Sequence, residues 1–239
     1  MFDAAERAEA EAVGDAFSVA ALLDVRRHTR RAVWEIASRI IPGTSEDEAL
    51  AVAAEVLREH GLRKGWHKII VRCGANTIKN FADPSAPGVV LADNDIFFID
   101  IGPVCDGIEG DGGATFALGD DLDHRRGARD VETLWKVVRD RWRAESASGR
   151  QLFAFAQEQA AAMGWQLNLN LSGHRLSDFP HKALFNGKLR DVAFAPSDGL
   201  WVLEVQIRHP ERDFGAFFED LLLEDDALQA EAFAPASGL

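Results

Sequence analysis

The chain is short of cysteine, of positive charge and of long apolar runs, and each shortage narrows what it can be. Cys73 and Cys105 are its two cysteines. With 239 residues, 47% of them hydrophobic, it can bury a sizeable core without a covalent staple. Both thiols are therefore expected to be free. No run of about 18 apolar residues occurs, so no membrane-spanning helix is expected. The opening MFDAAERAEAEAVGDAF is acidic and lacks the basic start and apolar stretch of a secretory signal. A cytoplasmic location is the expectation. Lysine and arginine total 26 against 39 acidic residues, a formal net charge of −13. Phosphate backbones demand clustered cations, so nucleic acid is not expected as a partner. Arg26, Arg27, Arg30 and Arg31 do cluster, but on a predicted helix, where they read as a solvated face.

What is present is an ordered alternation of helices and strands. Residues 1–17 are Ala/Glu-rich and read as an arm or a frayed helix. Leu22, Val25, Val33, Ile36 and Ile40 then recur at helical spacing, with Pro42 and Gly43 as the stop. Ser45 with Glu48 predicts a capping box, Leu50, Ala53, Val56 and Leu57 a buried stripe, and Gly61 a C-terminal cap. Strands are predicted at 68–73, 96–101 and, more weakly, 113–118. The second half repeats the order. Val131, Leu134, Val138 and Trp142 mark one helix, and Phe153, Ala156, Ala160 and Met163 another that stops at Gly164. Residues 166–172 alternate as a strand with Leu167, Leu169 and Leu171 on one face, and further strands are predicted at 200–207 and 214–223. No Pro/Gly/Ser-rich linker separates the halves, which favours one α+β domain over residues 18–224 with internal pseudo-symmetry. Two unrelated α+β halves would give the same order. Residues 225–239 are expected to be a disordered tail.

Several polar residues sit where apolar ones are expected. Asp100 ends the run Ile96-Phe97-Phe98-Ile99 and shares a strand face with Ile96 and Phe98. Asp111 lies in a glycine-rich turn, His174 extends an alternating strand, and Glu204 and Glu219 interrupt apolar strands. Each alone has a bland reading, as a turn cap, a structural histidine or an edge-strand charge. Together, four acids and a histidine facing a core are costly unless something compensates them. Divalent cations would do so, and carboxylates with imidazole suit Mn, Fe, Co or Zn.

These segments resemble the metallopeptidase M24 family of creatinase, Xaa-Pro aminopeptidases and methionine aminopeptidases. DIFFIDIGPVCDGIEGDGGATFALG is similar to the segment carrying that family's two aspartate ligands. SGHRLSDFPH resembles its glycine-histidine segment, and GLWVLEVQI and FGAFFEDLLL resemble the strands of its two glutamate ligands. The resemblance spans about residues 18–224 and implies the α+β pita-bread fold, as the catalytic domain alone. It implies metal ligands Asp100, Asp111, His174, Glu204 and Glu219 around two divalent ions, with Asp111 and Glu219 bridging. A water between the ions would be the nucleophile, Glu204 would take its proton, and His181 would stabilise developing charge.

Departures from the pattern fall in the substrate shell. Phe81 stands where the family has a histidine, with His67 a poor substitute, and Arg175 and Val205 replace a glycine and a proline. Gln206 shares the Glu204 face as a weaker ligand candidate. Phe81 and Arg175 are thus candidate substrate contacts, Arg175 as a clamp for a carboxylate. The leading expectation is a dinuclear hydrolase of C–N bonds like an Xaa-Pro aminopeptidase, acting on a peptide. The alternatives are a creatinase-like enzyme of a small anionic substrate and a non-catalytic binding module. A homodimer is compatible with either.

Overall fold

The computed structural model describes residues 4–15 and 17–230. Helices α1 (Ala4–Ala10), α2 (Val19–Arg39) and α3 (Glu46–Glu59) come first. Strands β1 (Lys64–Gly65), β2 (Ile70–Cys73), β3 (Ile96–Ile101), β4 (Pro103–Cys105), β5 (Ile108–Glu109) and β6 (Gly112–Ala117) follow. A second round comprises α4 (Leu122–Glu145), α5 (Gly149–Ala162), β7 (Gln166–Leu167), β8 (His174–Arg175), β9 (Trp201–Arg208), β10 (Gly215–Leu221) and α6 (Asp226–Ala230).

Local chemistry sets the helix ends. Ser45 and Glu48 form the expected reciprocal capping box at α3, and Ser148 with Gln151 forms a second at α5. Each satisfies two backbone donors that a helix start leaves open. Gly61 and Gly164, the expected stops, have φ of +75° and +83°. The α4 stripe Val131, Leu134, Val138 and Trp142 is buried as its spacing requires. In α5 the buried stripe is Leu152, Ala156 and Ala160, one position off the expected Phe153.

The main sheet runs β2-β3-β6-β10-β9-β7, with β8 paired to β9. Every pairing in it is antiparallel. β1, β4 and β5 make a small separate sheet. One face of the main sheet, carrying Val71, Ile99, Ala114, Val205 and Phe218, packs into the core with apolar residues of α2 to α5. Trp135 of α4 is fully buried there and donates through its indole to Leu203 O at 2.9 Å. The other face carries the small cluster of Ile70, Phe98 and Phe217 beside the polar residues described below.

Four expectations change. The predicted strand 166–172 stops at Leu167, and Leu169 is exposed, because the chain leaves β9 after Asn168 and returns to it only at His174. Arg26 and Arg30 are not solvated. Both are buried under the sheet, where Arg26 grips Asp220 with two bonds of 2.7 Å and Arg30 lies 3.2 Å from it. Arg27 and Arg31, on the outward side of the turn, are exposed as expected. The tail is ordered as far as Ala230: α6 is tied down by Arg26 to Leu228 O and by Arg139 to Asp226. The rest of that expectation, 231–239, lies outside the described residues. Near the N-terminus, Ala10 is buried and Glu11 binds Ser197 and the Trp201 indole, so the segment is docked on the body. Cys73 is buried and Cys105 half-buried, both free. No helix among the described residues is long and apolar enough to cross a membrane.

Candidate metal centre

Sheet register assembles the acidic residues. Asp100 of β3 pairs with Gly113 of β6, Gly113 with Glu219 of β10, and Glu219 with Glu204 of β9. Paired residues share a face, so the three carboxylates form one row across four strands. Gly113 is the gap in that row. A Cβ there would lie 3.0 Å from Glu219 Oε1 and 2.3 Å from Phe217 Cε1, so any side chain would push the carboxylate away. Asp111 enters from the turn before β6, and His174 from β8 opposite Val202. His174 Nε2 lies 3.0 Å from Asp111 Oδ2 and 3.9 Å from Glu204 Oε1. Gly173 N–H donates to Glu204 Oε2 at 2.8 Å. All five ligands implied by the resemblance therefore converge.

The cluster is undercompensated by protein groups alone. Glu219 is 1% exposed, yet its Oε1 has no hydrogen-bond partner, and Asp111 Oδ2 faces only the His174 ring, 3.0 Å away. Burial, then the charges of Asp111, Asp100 and Glu204, holds the Glu219 carboxyl well above the usual carboxylate range. Burial lifts Asp100 to about 7, with His67 opposing and Asp111 adding to the rise. Glu204 is raised too, chiefly by burial. For Asp111 burial is outweighed by hydrogen bonds from His174 and His67, and its pKa falls to about 2. Burial disfavours charge on His67 and His174, but the facing carboxylates prevail and raise both to about 9. Protons thus occupy the places where cationic charge is needed. A buried orphan oxygen in a carboxylate–imidazole set is what a divalent cation would satisfy, so the residues fit such an ion. Among the described residues two donor groups are close enough to hold one: His67 with Asp100 and Asp111, and Asp111 with His174 and Glu204.

His67 is the main surprise. Its Nε2 stands 3.5 Å from Asp100 Oδ1 and 3.3 Å from Asp111 Oδ1, although its place ahead of β2 in the sequence makes it a poor substitute for the histidine expected at Phe81. The reason is tertiary. β1 pairs with β4, and Trp66 N–H donates to Gly102 O, which folds the segment before β2 back over the end of β3. A second unanticipated residue is Glu109. Fully buried, it receives the His181 backbone N–H at 3.0 Å and the ring Nδ1 in a very short contact. In the sequence it was masked by the glycine-rich turn around it.

The remaining expected residues separate. His181 is buried, lines the cavity and stacks on His174 with ring centroids 5.3 Å apart. Phe81 also lines the cavity, 46% exposed and edge-on to His67. Arg175 does not. Adjacent strand residues point to opposite faces, so with His174 turned inward Arg175 is driven into the body. It is 0% exposed and its guanidinium binds Ala12 O and Ser177 Oγ. The expected carboxylate clamp is thus an anchor for the N-terminal segment. Gln206 is occupied in holding Thr77 O and Lys79 O and is free of the ligand cluster. Arg72 shapes the loop that carries Phe81, binding Asn80 O, Asp83 O and Ser85 Oγ. The cavity above the centre holds about 500 Å³ and is rimmed by Lys68, Lys79, Lys182 and Lys188.

The family model for metallopeptidase family M24 matches residues 20–225. The chain belongs to family M24. Solved structures of like fold include an X-Pro aminopeptidase from Thermotoga maritima, at TM-score 0.70 and 18% identity, covering 92% of this chain and 62% of that one. A prolidase from Pyrococcus furiosus has TM-score 0.70 and 17% identity, over 94% and 66%. A methionine aminopeptidase from Thermotoga maritima has TM-score 0.67 and 15% identity, over 87% and 93%. At such identities these likenesses establish the pita-bread M24 fold. The chain spans about two thirds or less of the first two. No curated protein sequence matches it.

Proposed function

We propose that this M24 chain is a metal-dependent hydrolase of C–N bonds, acting with two divalent cations on a small peptide that carries a free carboxylate. The observation behind it is the row of Asp100, Glu219 and Glu204, joined by Asp111 and His174, with Asp100, Asp111, His174 and Glu204 lining an open cavity and Glu219 buried beside them. Two cations rather than one are favoured by Asp111, which turns Oδ1 to His67 and Oδ2 to His174 and so belongs to both donor groups. Mixed carboxylate and imidazole donors suit Mn, Fe, Co or Zn. When bound, such ions acidify water and polarise a carbonyl.

The side chains then divide the work. Glu204, fixed through Oε2 by Gly173, keeps Oε1 as a proton acceptor, and burial raises its proton affinity toward the range useful for a base. His181 is oriented by Glu109. If its Nδ1–H donates to that carboxylate, a neutral ring presents a bare Nε2, which accepts a hydrogen bond from an N–H. Stabilising an oxyanion would need a second proton, which burial opposes. We therefore assign His181 to the nitrogen side of the scissile bond at neutral pH. The lysine rim, in a chain of net charge −13, supports a substrate with an anionic end. The same rim favours the second reading, a creatinase-like enzyme of a small N-substituted amino acid.

The test is turnover by chelated protein reloaded with Mn, Co or Zn, on Xaa-Pro dipeptides, longer amidated peptides, Met-initiated peptides and N-substituted amino acids. Metal-dependent cleavage of free-carboxylate dipeptides is expected, with the amidated and Met-initiated peptides poor. Turnover of the N-substituted amino acids alone selects the second reading. No metal-dependent turnover across the panel, or turnover indifferent to chelation, removes both.

A further inference from the structure

We infer that His67 is a metal ligand, supplying Nε2 to the same cation as Asp100 and Asp111 and giving each ion of the pair one imidazole. The inference rests on the reading of this centre as metal-binding and adds a donor outside the five ligands carried by the family resemblance.

Geometry carries it. Two donors about 2.1 Å from a shared ion lie about 3.0 Å apart at a right angle and about 3.4 Å apart at the tetrahedral angle. His67 Nε2 is 3.5 Å from Asp100 Oδ1 and 3.3 Å from Asp111 Oδ1. Those separations match a ligand set better than a tight ion pair. The other ring nitrogen is already committed: Nδ1 lies 2.7 Å from Lys68 O, where its N–H donates. A backbone carbonyl on one nitrogen selects the tautomer whose other nitrogen is free to ligate. His174 shows the same arrangement, Nδ1 being 2.9 Å from Arg175 O and Nε2 facing Asp111. The two histidines are thus equivalent around Asp111, one on each oxygen.

The surroundings hold the ring in place. The His67 side chain is 6% exposed. Trp66 packs edge-on against it at 4.4 Å and is itself fixed by its indole N–H to Gly110 O. Gly102 leaves the space. A Cβ there would fall 2.1 Å from His67 Cδ2 and 2.5 Å from Trp66 Nε1, so a side chain at position 102 would evict both rings. A second imidazole also shifts the expected metal toward Fe, Co or Zn and away from Mg or Ca.

Cobalt(II) is the probe. Chelated wild type, His67→Ala and His67→Gln are titrated with Co(II), following stoichiometry by equilibrium dialysis, the visible d–d spectrum and paramagnetically shifted imidazole N–H signals by proton NMR. Wild type should take up two equivalents and show two shifted N–H signals. Both variants should lose one of those signals, change the d–d spectrum and bind one equivalent at least about tenfold more weakly. The glutamine variant keeps the volume, and circular dichroism of the chelated forms checks that the fold persists. If both variants retain the wild-type affinity, spectrum and two N–H signals, His67 is not a ligand. Wild type that binds no Co(II) would overturn the metal reading itself, and this inference with it. Asp111→Asn, expected to weaken both ions, separates the two failures.

Discussion

Glu219→Gln isolates the contribution of one carboxylate to the centre. The Glu219 carboxyl is 1% exposed, lacks a partner on Oε1 and is held well above the usual carboxylate range by burial and by three neighbouring acids. In metal-free protein burial and those charges favour its neutral form. Glutamine is neutral and of the same shape, so the chelated variant should match wild-type stability to within about 1 kcal/mol. With metal the two must diverge, because the amide offers no anionic donor. A ligand at 100 times its dissociation constant stabilises by about 2.7 kcal/mol. For a chain of 239 residues, each kcal/mol moves Tm by about 2–4 °C. Co(II) should thus raise the wild-type Tm by about 5–11 °C and leave that of the variant nearly unmoved. Differential scanning calorimetry of chelated and reloaded protein measures both arms. An equal metal-induced shift in the variant would refute Glu219 as a ligand. A chelated variant melting several degrees from chelated wild type would refute the neutral-carboxyl argument.

Metal affinity should fall as pH drops from about 9 to 6, since His67 and His174 near 9 and Asp100 near 7 must shed protons to ligate. Titration calorimetry in buffers of different ionisation enthalpy should detect proton release, and a pH-independent affinity would contradict this. Without metal the sign reverses for stability: these folded-state pKa values are raised, so their stabilisation is lost as pH climbs through 7 and then 9, and the chelated Tm should decline over that range. Asp220→Asn breaks the buried bond to Arg26 and should cost about 3–5 kcal/mol in urea denaturation, with metal uptake per folded molecule unchanged. A loss below about 1 kcal/mol would show that Arg26 and Arg30 find other partners. Arg175→Ala should expose the segment 4–15 to limited proteolysis while leaving metal affinity and substrate KM intact. A raised KM with an unchanged proteolytic pattern would restore Arg175 to the substrate.

The sequence by itself determined the periodic elements and the polar residues that interrupt them. Helical stripes such as Val131 to Trp142, and the Ser45–Glu48 box, act over a few residues, so they are legible without a partner. Asp100, Glu204 and Glu219 were legible for a related reason: a carboxylate in an apolar, buried strand needs a compensating group wherever the fold puts it. What the tertiary structure decided is which side chains meet. Glu219 and Asp220 are neighbours in the chain, and only strand register sends one to the centre beside Glu204 and the other to Arg26 on the opposite face. The same alternation turns His174 inward and Arg175 away. His67 and Glu109 became visible only once short strand pairings and turns brought distant segments together. No local pattern encodes that β1 lies against β4, so nothing in the sequence around His67 announces that its ring faces Asp100 and Asp111.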